Sequence, residues 1–207
     1  MNDPIVWFGL HTTLFEILAF VLSVATVALN IRQNHWAWLF AIVSSAAYGV
    51  VFFNSRLYGD AGLQVVFIVV SLWGWYSWLH GGVAGDGSAR VALAVSTLDR
   101  RGWLAAGAGW LAGYLLLSWF LRQYTNTDVP HTDAFLTAGS LVGQVLLSRK
   151  KLENWHAWIV VDVLYVGLYV YKGLLLTGVL YALFVAMAVA GLLAWRRSVP
   201  RLGEQAA

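Results

Sequence analysis

The 207-residue chain contains no cysteine and very little charge. Without a thiol, neither a disulfide nor a thiolate metal site can form. Charged residues make up 11% of the sequence and hydrophobic ones 60%, whereas soluble domains average about 25% and 45–50%. That balance excludes a soluble domain and points to a chain dissolved in a bilayer. Metal and phosphate chemistry are missing too. The histidines (His11, His35, His80, His131 and His156) lie in connections or at helix ends, never paired at ligand spacing within a span. The glycines between positions 81 and 87 precede no Lys-Ser/Thr signature. No nucleophile stands beside a base, so no catalytic residue and no cofactor is expected. The N-terminus has Asp3 ahead of its first apolar stretch and no basic region, which argues against a cleavable signal.

What the sequence does have is apolar runs long enough to cross a hydrocarbon layer of about 30 Å. Seven spans are predicted: 14–30, 38–54, 61–79, 103–121, 134–148, 155–171 and 174–195. Alternating connections then segregate the basic residues. Arg32, Arg90, Arg100, Arg101, Arg149, Lys150, Lys151, Arg196, Arg197 and Arg201 fall on one side, and Arg56, Arg122 and Lys172 on the other. The positive-inside bias makes the richer side cytoplasmic, with the N-terminus outside and the C-terminus inside. The net charge of +3 is thus a topological signal and not a nucleic-acid footprint.

The chain also repeats itself. Trp38, Ile42, Ser45, Tyr48, Phe52, Leu57, Leu63, Phe67, Gly74 and Trp78 recur 117 residues later as Trp155, Ile159, Asp162, Tyr165, Tyr169, Leu174, Leu180, Phe184, Gly191 and Trp195. Ser23 and Arg32 map at the same offset onto Ser140 and Arg149. Two groups of three spans, 14–79 and 134–195, share one orientation only if an odd number of helices separates them, and span 103–121 is that linker. The expected fold is an all-α integral membrane domain in a three-plus-one-plus-three arrangement of parallel repeats, with the substrate where the halves meet. Asp99 is expected to cap the fourth helix, and Thr132 or Asp133 the fifth.

Candidate chemistry lies on helix faces. Trp155, Trp158, Asp162, Tyr165, Tyr169 and Lys172 form one stripe on the sixth span. A lone carboxylate inside a membrane costs about 2.5–3.5 kcal/mol on insertion scales, so Asp162 must face protein or water. Its bland role is a hydrogen bond to a neighbouring helix. The aromatic stripe around it favours contact with a polar substrate. On the third span Gln64, Ser71, Trp75 and Trp78 share a face. Ser23, Thr137 and Ser140 read as helix-joining hydroxyls. Gly74 and Gly191 read as points of close helix approach. Trp7, Trp103, Trp110, Trp119 and Trp195 suit interfacial belts, whereas Trp73, Trp75 and Trp78 are denser than a belt requires. Flat aromatic rings hold a planar heterocycle by stacking, and a cationic one more strongly. Asp162 and Glu16 are the only acidic residues within the spans, which favours an uncoupled carrier.

The segments 36–67, 74–78 (GWYSW) and 153–184, the last containing ENWHAWIVVDVLYVGLYVY, closely resemble the PnuC vitamin transporters. The resemblance covers all seven spans. It implies a fold related to the SWEET transporters and a homo-oligomer, often a trimer. It further implies import of nicotinamide riboside across the bacterial inner membrane by facilitated diffusion, with phosphorylation inside trapping the product. Family substrate contacts come from the third and sixth helices, which here brings forward Gln64, Trp75, Trp78, Trp155, Asp162, Tyr165, Tyr169 and Lys172. Some members carry Asn at the position of Asp162, so its charge bears on which vitamin is carried. Relatives of this fold move thiamine, riboflavin or deoxynucleosides, which stay as alternatives, and an integral-membrane enzyme is the remote one. Alternating access between the two bundles would place Trp38 and Trp155 as cytoplasmic gates.

Overall fold

A backbone inside hydrocarbon must satisfy its own hydrogen bonds, and a long apolar run does so as a helix. The computed structural model describes residues 5–7, 10–12, 14–54, 58–83, 90–125, 127–171 and 175–199. Among them are seven α-helices: α1 (Leu14–Ile31), α2 (Ala37–Asn54), α3 (Tyr58–His80), α4 (Arg100–Tyr124), α5 (Pro130–Ser148), α6 (Asn154–Tyr171) and α7 (Leu175–Arg196). Each corresponds to one predicted span. Three stretches, Gly62–His80, Arg100–Tyr124 and Gly178–Arg196, are long and apolar enough to cross a membrane. Large apolar side chains face outward, among them Leu104, Leu116 and Val179, at 68%, 64% and 66% exposure. Water disfavours such a surface and lipid accepts it.

Two details depart from the all-α expectation. Short antiparallel ribbons join β1 (Ile5–Trp7) to β2 (Leu10–Thr12) and β3 (Gly82–Val83) to β4 (Arg90–Val91). They give partners to backbone groups that lie outside the helices. Asp99 caps α4 as expected, its Oδ1 accepting from the Gly102 N–H at 2.7 Å. Helix α5, however, begins upstream of Thr132 and Asp133, with Val129 at the cap and Pro130 in the first turn. Proline suits that place, because its fixed φ is helical and its missing N–H is not needed there. Asp133 instead accepts a bond from the Thr127 hydroxyl.

The chain forms two compact units, Met1–Tyr76 and Ser77–Ala207. In the first, α1 packs on α2, and the Ser23 and Ser44 hydroxyls lie 3.5 Å apart. Trp38 is 1% exposed and lies over Gly74, where an added Cβ would stand 2.5 Å from the indole. In the second, α5 packs against α4 and α6, and α6 against α7. There Trp155 lies over Gly191 in the same way, again with 2.5 Å to an added Cβ. Gly74 and Gly191, read from sequence as points of close helix approach, thus each make room for an indole side chain.

The repeat extends to backbone detail. Gln33 and Lys150, 117 positions apart, both have left-handed backbones, with φ of 53° and 48°. The following N–H groups, of Asn34 and Lys151, reach back to Leu29 and Leu146 at 2.9 Å in both units.

Candidate functional site

Helix α6 supplies most of the candidate site, in the second unit. Asp162 is 6% exposed, and no hydrogen bond reaches its carboxylate among the described residues. One and two turns on, Tyr165 and Tyr169 stack with ring centroids 5.8 Å apart and planes at 17°. Tyr181 of α7 closes against both, at 4.6 Å and 5.1 Å, and Phe184 meets Tyr181 edge-on at 5.7 Å. Tyr165 interacts with Ser140 of α5 and, electrostatically, with Asp162. Tyr181 interacts electrostatically with Asp162 too, and a carboxylate close to a group of phenol rings is an environment suited to a flat cation. Trp158, one turn before Asp162, packs over Gly143, where an added Cβ would stand 3.2 Å from Cε2.

Three further tryptophans of this unit, Trp78, Trp155 and Trp195, gather near the N-terminal end of α6. Trp155 meets Trp195 edge-on at 5.4 Å, and Trp78 lies 5.9 Å from Trp195. The Trp78 indole N–H donates to the Leu147 carbonyl at 2.9 Å. Trp155 and Trp78 are each 2% exposed, so both rings are packed inside protein.

In the first unit, Gln64 lies against Gly49, with 3.5 Å between its Cβ and a Cβ added there. It borders an open groove of about 340 Å³ whose walls include Ser45, Phe53 and Ile68. Trp75 pairs with Trp36 at 5.9 Å. Lys172 lies outside the described residues.

Tyr181 was not among the substrate contacts expected from sequence, although the repeat carried the signal. Tyr181 stands 117 positions after Gln64, as Asp162 does after Ser45 and Ser140 after Ser23. A second polar group was also missed. His131 of α5 holds the Ser118 and Tyr114 hydroxyls of α4 at 2.7 Å and 3.2 Å, beside an open groove of about 730 Å³ walled by Phe135, Leu164, Leu168 and Tyr171. Among the described residues no group of three His, Asp or Glu side chains could hold a metal ion.

The chain is similar to known proteins. The riboflavin/roseoflavin transporter RibM of Streptomyces davaonensis is 29% identical over 196 residues, covering 94% of this chain and 90% of its own. The nicotinamide riboside transporter PnuC of Escherichia coli is 21% identical over an alignment that covers all of this chain and 95% of its own. The crystal structure of the vitamin B3 transporter PnuC has the same fold, with a TM-score of 0.68 at 23% identity over 88% of this chain and 80% of that one. These relatives are transporters and not enzymes. The model of the nicotinamide mononucleotide transporter family matches residues 13–197, and the chain belongs to that family of membrane transporters.

Proposed function

We propose that the protein imports nicotinamide riboside by facilitated diffusion. The observation that carries this reading is the buried Asp162 carboxylate, without a hydrogen bond among the described residues, in electrostatic contact with Tyr165 and Tyr181 of the tyrosine group. A buried charge needs a partner, and the pyridinium ring of nicotinamide riboside is a flat cation with ribose hydroxyls attached. Asp162 balances its charge or takes its hydroxyls, the aromatic stripe with Trp155 and Trp158 holds the ring, and Gln64 pairs with the amide. Trp75 and Lys172 complete the proposed set.

The transport cycle follows from the repeat. Bundles 14–79 and 134–195, joined by linker 103–121, alternate access to a midplane site, with Trp38 and Trp155 at the inner mouth. The segregation of basic residues supports an outer N-terminus and an inner C-terminus in the bacterial cytoplasmic membrane. A homo-oligomer, trimeric as in the family's pattern, belongs to the same proposal.

Riboflavin is the second reading, favoured by the 29% identity to RibM. Its neutral isoalloxazine makes little use of a carboxylate. Calorimetric titration of the purified protein separates the two: nicotinamide riboside binding that is lost in Asp162→Asn supports the first, and riboflavin binding indifferent to that change supports the second.

A further inference from the structure

The turn between α5 and α6 holds more than a connection needs. Lys150 has a left-handed backbone, which side chains other than Gly, Asn and Asp rarely adopt. It is also only 7% exposed, and lysine is almost never so buried unless its ammonium has a partner. Its Nζ stands 4.6 Å from the centroid of the Trp78 ring, a cation–π distance. Burial pushes the pKa of this ammonium down, so the ring replaces lost water only in part.

Trp78 is held in turn. Besides its indole bond to Leu147, its carbonyl accepts the Leu93 N–H at 3.0 Å. From Leu93 the strap formed by residues 92–98 runs along the same turn. Ser96 N–H donates to the Lys150 carbonyl at 3.1 Å, and Leu152 N–H donates to the Ser96 carbonyl at 2.9 Å. The Lys151 ammonium donates to Ser96 Oγ at 2.9 Å and to the Thr97 carbonyl at 3.2 Å. Within the strap, Val95 is 3% exposed.

The repeat provides an internal control. Gln33 occupies the equivalent left-handed position with a neutral side chain. The backbone turn therefore forms without a cation, and the lysine answers to something found beside the second copy.

We propose that Lys150 is a positioning residue for transport: through Trp78 and the strap it latches the last turn of α3 to the α5–α6 turn, and the latch sets transport rate without setting vitamin affinity. The inference rests on the family's transport activity and not on which vitamin is carried. It assigns Trp78 to the latch in place of the substrate contact expected from sequence.

The chain's lack of cysteine makes the test clean. Val95→Cys is the sole thiol, and its maleimide labelling is timed in detergent with no vitamin present. Lys150→Gln and Trp78→Phe are expected to speed labelling about tenfold, and Lys150→Arg to restore the slow rate. In liposomes the two loosened variants are expected to carry nicotinamide riboside and riboflavin, each run separately, at least fivefold more slowly than the parent, with Kd by titration within twofold. Unchanged labelling in both loosened variants overturns the latch, whatever the vitamin proves to be. A Kd weakened as much as the rate in Trp78→Phe overturns its positioning role and returns Trp78 to the binding site.

Discussion

In the proposed function, Asp162 is the residue on which the chemistry turns. Its carboxylate is buried without a hydrogen bond among the described residues, yet the helix continues undisturbed through Tyr171. On the proposed reading, its partner is the substrate that comes and goes. Replacing it with alanine is expected to weaken nicotinamide riboside binding tenfold or more, roughly 1.4 kcal/mol, while the melting temperature in detergent holds or rises; unchanged affinity would remove Asp162 from the site. Glycine gives a contrasting prediction about stability. An alanine Cβ at Gly191 would stand 2.5 Å from Trp155, whereas one at Gly167 meets nothing within 4 Å. Gly191→Ala is expected to cost about 1–3 kcal/mol by overpacking and to lower the melting temperature, and Gly167→Ala to leave it nearly unchanged. Equal melting temperatures would show that the indole relaxes freely.

Among the elements, α4 shows how local chemistry reaches a fold. Its start was legible because Asp99 precedes an apolar run, and its side chain does cap Gly102. Asp99→Ala is expected to cost about 1 kcal/mol, seen as faster hydrogen exchange confined to the first turn of α4; exchange spread evenly along the helix would argue that the cap is incidental. The start of α5 was misplaced because two capping signals competed, and the proline at position 130 prevailed over Thr132 and Asp133. Other features could not be read locally at all. The Ser96–Lys151 bridge joins residues 55 apart, and the tyrosine group draws one of its rings from α7. Periodicity along a single helix contains neither pairing. The offset of 117 residues did contain a hint of the second, since it maps Gln64 onto Tyr181.

For the whole molecule, the apolar runs and the scarcity of charge made the seven helices legible. Seven spans read from apolar runs became seven helices because hydrocarbon leaves the backbone no other solution, and the two tryptophan–glycine contacts repeat as the sequence does. Orientation rests on the basic residues and has its own test. Single cysteines placed at Thr125 and Ser198 are the only thiols in their variants; an impermeant maleimide applied to intact cells is expected to label the first and spare the second. The reverse pattern would invert the topology and place the Lys150 turn outside.

The central claim is that this chain lets nicotinamide riboside cross a membrane by way of Asp162. The most direct measurement is uptake of radiolabelled nicotinamide riboside into sealed liposomes containing the purified protein or its Asp162→Asn variant. The account predicts entry of the unmodified vitamin until inner and outer concentrations match, and an initial rate at least tenfold lower in the variant. No entry, entry beyond equality, or equal rates in the two proteins would contradict it.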